Sequence, residues 1–390
     1  MDVGIVGKPN VGKSTFFKAL TLADTEIAGF PFTTIKANIG VGYVKSACPC
    51  RKFEVECNPR NSLCRNGNRF TPIRVIDVAG LVPGAHEGKG LGNQFLDDLR
   101  QADVLIHVVD IAGRTDENGE PAKGHDPEKD IKFLEREVDL WFAQIISKNW
   151  KKIQSKVLHL GSKLVKELTS QLSGLEVTEW QVRKALKKSG LEDKDKWDEE
   201  DIKDFSRSLR QISKPILIAA NKIDLGDENY ERLRDDYRMT PICAEAELAL
   251  READAHGLIE YIPGEADFTV KGEIDEKQGK GLEYVRQKIL KKYGGTGVQE
   301  CLNDAVYDQL GLITVYPVEN ENKLADGKGN ILPDSLLVPK GANALDLAYK
   351  VHTDIGDRFL GAVDCRTRQK VGKDHELCDC DIIKIISSAK

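Results

Sequence analysis

Residues 3–14 read VGIVGKPNVGKS, and this stretch decides the fold. The apolar residues 3–6 predict a buried strand, and residues 15–23 predict a helix. Between them, residues 7–14 match the pattern G-x-x-x-x-G-K-S/T, a loop that binds nucleotide phosphates between a strand and a helix. Its backbone N–H groups and the positive end of the helix dipole point at one anion. The sequence therefore predicts an α/β nucleotide-binding domain.

The same loop supplies charged and polar side chains for a phosphate and metal site. Lys13 is expected to reach the terminal phosphates, and the Ser14 hydroxyl is expected to bind Mg²⁺. The nucleotide contacts predicted from this loop are Gly7, Lys8, Pro9, Asn10, Val11, Gly12, Lys13, Ser14 and Thr15. A glycine-rich turn that ends in a helix-capping serine is the alternative interpretation of this motif alone.

A second segment, residues 73–80, predicts the remaining metal and phosphate contacts. It reads IRVIDVAG, a buried-strand pattern that contains Asp77 and, three positions later, Gly80. In nucleotide hydrolases such an acid orients Mg²⁺, and the glycine N–H senses the γ-phosphate. Asp77 and Gly80 are therefore predicted site residues.

A third segment predicts which base is bound. The apolar residues 215–220 run into the sequence NKID, which ends at Asp224. A carboxylate there accepts hydrogen bonds from both N1–H and N2–H of guanine, whereas adenine has no second donor. Because an unpaired buried carboxylate is costly, the preference for guanine is steep. After the strand-like residues 240–242, a backbone N–H is a possible donor to the guanine O6, although this signal is weak alone. The predicted base-side contacts are Asn221, Lys222, Asp224, Cys243 and Ala244.

In this order and spacing, the segments resemble GTPases of the translation-factor class. Residues 29–34, GFPFTT, resemble the first switch of the Obg family, and residues 77–96, DVAGLVPGAHEGKGLGNQFL, resemble its glycine-rich second switch. Asp126, Pro127 and the pair at residues 130–131 point to the YchF-type branch. The chain is similar to archaeal-like members of that branch with an intact guanine motif.

The resemblance implies a slow GTP-hydrolysing switch that binds GTP or GDP and acts with ribosome or RNA. Thr34 is then the switch ligand of Mg²⁺, and Thr33 is the alternative because spacing does not separate two adjacent threonines. The predicted catalytic residues are Lys13, Asn10, Thr34, Asp77 and Gly80, and the predicted Mg²⁺ ligands are Ser14, Thr34 and Asp77. An ATPase of the same branch is one alternative, since much of the branch prefers ATP. A nucleotide-gated binding scaffold with incidental hydrolysis is another.

The group that positions the attacking water is less apparent from the sequence. Leu81 stands where many GTPases place a water-orienting glutamine. Asn10 resembles an asparagine that, in some such GTPases, holds K⁺ between the β- and γ-phosphates. His86 and His125 are candidate water-orienting groups, although a solvent-facing histidine is the commoner role for either.

The remaining sequence predicts the other domains. Apolar residues recur at intervals of three and four over residues 131–168, which predicts two long helices paired as an antiparallel hairpin. Residues 312–388 resemble a TGS domain, a small β-grasp module, with strands at 313–318 and 382–386 and a helix at 342–352. The predicted domains are residues 1–125 and 214–262 for the P-loop GTPase domain, 126–213 for a helical, coiled-coil-like insertion, 263–311 for connector helices, and 312–390 for the TGS domain.

The chain has nine cysteines, and four of them lie within residues 48–64. The four are Cys48, Cys50, Cys57 and Cys64. Zinc takes four thiolates tetrahedrally, and a closed site would hold a loop that has no core of its own. Because the spacing differs from the usual C-x-x-C knuckle, reduced thiols on a surface loop are the alternative.

Length and charge agree with these predictions. A chain of 390 residues accommodates about two to three domains. The net charge of −6 implies no general attraction to nucleic acid, and no apolar run approaches the ~18 residues of a membrane span. The chain enters a strand without a basic and apolar leader. We therefore expect a cytoplasmic enzyme with no membrane partner.

Overall fold

The structure, a computed structural model, describes residues 1–21, 38–78, 92–160, 163–192, 194 and 196–388. These residues form two compact units. Unit 1 is made of the described parts of residues 1–19, 38–40 and 74–301, and unit 2 contains residues 41–73 together with the chain from residue 302 onward.

A mainly parallel sheet starts at the amino terminus. Its strands are β1 (Asp2–Val6), β2 (Ile39–Ala47), β3 (Leu63–Arg65), β4 (Asn68–Asp77), β5 (Val104–Asp110), β6 (Ile216–Asn221) and β7 (Met239–Pro241). The order is β2-β4-β1-β5-β6-β7, and β3 pairs antiparallel with β4. β2 and β4 each run through residues of both units, and β3 belongs to unit 2. β1 and β5 are buried along their whole length, as expected for parallel strands covered on both faces.

The described part of the first 303 residues also contains helices and one short hairpin. In chain order the helices are α1 (Lys13–Thr21), α2 (Gly92–Gln101), α3 (Pro127–Ser147), α4 (Trp150–Leu160), α5 (Leu164–Gln171), α6 (Glu179–Ser189), α7 (Glu199–Ser213), α8 (Glu228–Leu233), α9 (Ala244–Ala255), α10 (Glu276–Val285), α11 (Lys291–Tyr293) and α12 (Val298–Asn303). The hairpin pairs β8 (Ile259–Glu260) with β9 (Thr269–Val270).

The helical insertion consists of α3 to α7. Helix α3 starts where the Asp126 side chain accepts a hydrogen bond from the Glu128 N–H and Pro127 occupies the first turn. Leu134, Val138 and Trp141 on this helix are buried in the same core as the sheet residues Val6 and Leu105. The predicted second helix is divided into α4 and α5, and α3 packs on both of them but more extensively on α7. Periodicity identifies a buried helix face but not the helix that covers it.

The carboxy-terminal domain of unit 2 is a five-stranded sheet covered by one main helix. Its elements are β10 (Leu312–Val318), β11 (Leu336–Pro339), α13 (Ala344–Val351), α14 (Thr353–Asp357), β12 (Phe359–Asp364), β13 (Gln369–Val371) and β14 (Ile382–Ser387), with strand order β11-β10-β14-β12-β13. Asn343 and Asp346 form a capping box at the start of α13. A P-loop α/β domain, a helical insertion and a β-grasp domain confirm the predicted fold class.

Candidate nucleotide site and cysteine cluster

The phosphate loop occupies residues 7–12, between the end of β1 and the start of α1. Two of its residues have a left-handed backbone, Asn10 with φ of 62° and Gly12 with φ of 94°. At Gly12 a Cβ atom would lie 2.3 Å from Nδ2 of Asn221, so the close approach as well as the dihedral angle requires glycine. Lys13 and Ser14 begin α1, where unpaired backbone N–H groups favour an anion.

Asn221 joins three segments of this site through one buried side chain. Its Nδ2 donates to the Val11 carbonyl at 2.8 Å, and its Oδ1 accepts from the Ala244 N–H at 3.1 Å. Both groups of the amide are thus hydrogen-bonded inside the protein. Asn221 therefore positions the phosphate loop and the backbone at Ala244, and its amide keeps a second N–H for a bound base.

Lys222 braces the same loop from the side. Its Nζ donates to the Asn10 carbonyl at 2.9 Å and pairs with Oδ2 of Asp110 at 2.8 Å. Asp110 is buried at the end of β5. Sequence reasoning missed Asp110, although an acid that ends a continuous apolar strand beside the phosphate loop was a usable signal.

Asp224 and Cys243 form the base-side pair. The Cys243 thiol donates to Oδ1 of Asp224 at 3.2 Å. Burial, and secondarily the Asp224 charge, raises the pKa of Cys243 to about 12, so the sulfur keeps its proton at neutral pH. Both residues line a cavity of about 620 Å³ that extends along α9 and α10. The carboxylate is accessible from this cavity, where a planar base with two donors has room to approach.

Lys13 and Asp77 lie side by side at the end of β4. Lys13 Nζ forms an ion pair with Oδ1 of Asp77 and donates to the Val78 carbonyl at 3.0 Å. The Ser14 side chain is exposed at the start of α1. Hard oxygen donors such as a serine hydroxyl and a carboxylate suit Mg²⁺, so these two residues fit the ion.

Lys8 has a different environment from the other lysine of the loop. Its Nζ is buried, forms an ion pair with Asp130 at 2.7 Å and donates to the Thr115 carbonyl at 3.0 Å. His125 lies on the other oxygen of Asp130, with Nε2 at 3.0 Å. Lys8 was predicted as a nucleotide contact, and in the structure its Nζ is engaged by Asp130 and the Thr115 carbonyl instead. His125 is packed in this buried group and does not face solvent.

Asn10 contacts the loop that follows β5. Its Nδ2 donates to the Gly119 carbonyl at 3.0 Å, and no described residue engages its Oδ1. The amide oxygen is therefore available to a cation, while the amide nitrogen holds the loop by its hydrogen bond to Gly119. Other predicted site residues lie outside the residues that the structure describes, and these are Thr33, Thr34, Gly80, Leu81 and His86.

Four cysteines of unit 2 form a compact group. The Sγ atoms of Cys48, Cys50, Cys57 and Cys64 all lie within 4.8 Å of one another. Cys48 and Cys57 are 3.9 Å apart, as are Cys50 and Cys64, so they are close but not bonded. The four thiols predicted as zinc ligands are thus brought together.

Sequence comparison identifies three matching regions. Residues 2–159 match the family model described as a 50S ribosome-binding GTPase, and residues 219–320 match the G4 motif-containing domain of YGR210-like Obg-like GTPases. Residues 328–387 match the TGS domain. In the described parts of the chain, no helix is both long enough and apolar enough to cross a membrane.

Two relatives extend over nearly the whole chain. A GTP-binding protein of Methanocaldococcus jannaschii, MJ1332, is 50% identical over 393 residues, which cover 100% of this chain and 99% of the relative. The ribosome-binding ATPase YchF of Bacillus subtilis is 31% identical, over 93% of this chain and 87% of its own length.

Two solved structures share the fold. A GTP binding protein from Pyrococcus horikoshii OT3 superposes with a TM-score of 0.81 at 42% identity, covering 100% of both chains. The YchF GTPase of Schizosaccharomyces pombe gives a TM-score of 0.57 at 19% identity, covering 99% of this chain and 97% of that one. The second likeness supports the fold alone.

Proposed function

The chain belongs to the YchF/Obg-like family of nucleotide-hydrolysing GTP-binding proteins, and from this premise we propose that it hydrolyses GTP to GDP and phosphate as a slow switch. The choice of GTP rests on the Asp224 carboxylate, which lines a cavity. Asn221 holds the neighbouring segments together through its two hydrogen bonds. Guanine presents two donors to such a carboxylate and adenine does not.

We assign the phosphate chemistry to the loop and the end of β4. Lys13 would neutralise charge on the transferred phosphoryl group, and Ser14, Thr34 and Asp77 would hold Mg²⁺. The Gly80 N–H would respond to the γ-phosphate. The ion would supply positive charge that offsets the charge of the phosphates. The apolar Leu81 at the usual glutamine position implies a slow intrinsic rate.

An ATPase is the second candidate function. It is favoured by one observation, namely that several relatives, including YchF of Bacillus subtilis and Obg-like ATPase 1 of Danio rerio, are named ATPases. In this chain the NKID segment is intact. We therefore rank GTP first.

A ribosome or an RNA is the proposed partner, which implies a cytoplasmic role. The support is the ribosome-binding description of one matching family model and of the Bacillus relative. We expect the protein to sediment with ribosomes when loaded with a non-hydrolysable GTP analogue and to stay in the supernatant with GDP. We also expect ribosomes to raise GTP turnover.

Sedimentation and turnover separate the enzyme from the alternatives. Nucleotide-dependent sedimentation without any stimulation of turnover by ribosomes or RNA would favour a nucleotide-gated scaffold. Equal sedimentation with both nucleotides would contradict the switch.

A monovalent cation is our candidate for stabilising the charge that develops on the phosphates during hydrolysis. We expect GTP hydrolysis to rise at least severalfold when KCl replaces NaCl at constant ionic strength, because K⁺ beside the Asn10 Oδ1 would offset charge between the β- and γ-phosphates. Asn10→Ala should abolish this salt difference while GDP binding is largely retained. Phosphate release in the two salts measures the effect.

A second variant separates cation binding from loop bracing. Asn10→Asp keeps an oxygen ligand but loses the Nδ2 donor to the Gly119 carbonyl. The ratio of rates in the two salts should therefore persist in Asn10→Asp, even if its absolute rate falls. If the native protein hydrolyses GTP equally fast in both salts, with ribosomes present and absent, the cation mechanism is wrong.

A further inference from the structure

We propose that Cys48, Cys50, Cys57 and Cys64 bind one zinc ion as a closed tetrathiolate site, and that this site clasps the cysteine segment onto the carboxy-terminal β-grasp domain. Both partners of the clasp belong to unit 2. The site is independent of nucleotide hydrolysis.

The sulfur positions match a tetrahedral zinc site. With Zn–S bonds of about 2.3 Å, the sulfurs of a regular tetrahedron are ~3.8 Å apart. The Cys48–Cys57 and Cys50–Cys64 separations are both 3.9 Å, and every other pair lies within 4.8 Å. Four thiols packed at this spacing, with two of them buried, leave room for an ion at their centre rather than for a disulfide.

The local backbone places these thiols. Cys48 follows β2, and its N–H donates to the Gly67 carbonyl at 2.9 Å, which joins it to the turn between β3 and β4. Cys50 lies in a single helical turn, residues 49–51, and its carbonyl accepts a hydrogen bond from the Val55 N–H. Cys64 lies on β3. The end of β2, a single helical turn and β3 thus bring three of the four thiols together.

Arg69 supplies a second, independent indication of a bound metal. Its side chain is 0% exposed, with Nη2 3.5 Å from the Cys48 Sγ and 3.0 Å from the Leu332 carbonyl, and Nη1 2.9 Å from the Ser62 hydroxyl. In the described part of the chain no carboxylate pairs with it. The guanidinium also lies 5.2 Å from the centre of the Tyr316 ring. A buried guanidinium without a carboxylate is stabilised further by a nearby negative charge. Four thiolates around Zn²⁺ carry a net charge of −2 and would supply it.

The segment between Cys57 and Cys64 is joined to residues 330–335 by hydrogen bonds. The Asn58 N–H donates to the Ile331 carbonyl at 3.1 Å, and the Arg60 N–H donates to the Pro333 carbonyl at 2.7 Å. Arg60 also forms an ion pair with Asp334 at 2.6 Å. These contacts need the segment to keep one conformation, and two metal ligands at its ends would provide that restraint.

The cysteine segment and the carboxy-terminal domain also share an apolar core. Cys48 and Cys50 are buried in one core with Tyr316 on β10, Leu332 and Ile382. The metal site would therefore lie at the base of the β-grasp sheet and not on a free surface loop. This placement accounts for a cysteine loop that is ordered although it has no core of its own.

Metal analysis of the native protein, purified anaerobically without chelator, tests the site. We expect about one zinc per chain, and Co²⁺ in place of zinc should give the intense visible bands of a tetrahedral cobalt thiolate. Cys57→Ser should reduce zinc below half an ion per chain. Cys365→Ser is the matched control, because Cys365 is buried in the same core but lies outside the four-thiol group.

Hydrogen exchange tests the clasp. Zinc removal or Cys57→Ser should speed exchange of the Asn58 and Arg60 amides and of the contacted residues near 331, while β10 and β14 stay protected and GTP binding is unchanged. Arg69→Leu should weaken zinc binding at least about tenfold, whereas Arg69→Lys should retain most of it. A chromophoric chelator in competition measures these affinities.

Four results would overturn the proposal. They are less than half a zinc per native chain, iron in its place, zinc content unaffected by Cys57→Ser, and unchanged exchange at Asn58 and Arg60 after zinc removal. If Cys57→Ser does not fold, the native zinc content and the cobalt spectrum still decide the matter.

Discussion

Lys13→Ala is expected to abolish GTP turnover, with a loss of about 10²–10³-fold or more in the rate of phosphate release. Lys13 lies beside Asp77 at the opening of the phosphate loop. The other lysine of the loop cannot replace it, because the Nζ of Lys8 is buried against Asp130 and the Thr115 carbonyl. Single-turnover phosphate release at saturating GTP measures the chemical step separately from nucleotide binding.

A lysine on the same helix provides the control for this experiment. Lys18 is exposed on α1, five residues or about 1.4 helical turns after Lys13. Lys18→Ala removes the same charge from the same helix and should leave the rate unchanged. Near-native release by Lys13→Ala would mean that the loop is not the catalytic centre.

The second large effect concerns the base. The native protein should bind GTP at least about tenfold more tightly than ATP, a difference of roughly 1.4 kcal/mol or more. Asp224→Asn should shift the preference towards xanthine nucleotides, because xanthine carries an acceptor where guanine has its amino group. Competition of GTP, ATP and XTP against a fluorescent guanine nucleotide measures all three affinities.

Asp227→Asn makes the same chemical change three residues away. Asp227 pairs with Lys292 at 2.6 Å, so its substitution should alter no base preference. Equal competition curves for GTP and ATP with the native protein would overturn the guanine assignment and favour the ATPase.

Sequence reasoning was strongest where chemistry is local. The phosphate loop needs glycine at Gly12, a lysine and a serine at fixed spacing, and a preceding apolar strand, and all of these are contiguous. In the β-grasp domain the sequence pattern predicts β10, β14 and the main helix. Its other strands, such as β13 with the sequence QKV, are short and polar and carry little periodic signal.

Long-range pairings were beyond that reasoning. Lys8 was assigned to the nucleotide because it lies in the loop, but its partner Asp130 is 122 residues later. Nothing in the local sequence singles out Arg69, whose buried guanidinium donates to the Leu332 carbonyl, 263 residues away. Spacing describes neighbours along the chain, whereas these contacts depend on how the chain folds back.

The ion pair of Lys8 with Asp130 also has a mechanical consequence. Asp130 lies in the first turn of α3, so the phosphate loop is attached directly to the near end of a 21-residue helix. At 1.5 Å per residue this helix is about 31 Å long. A movement of the loop around a phosphate would thus be transmitted to one end of a helix that extends far from the nucleotide.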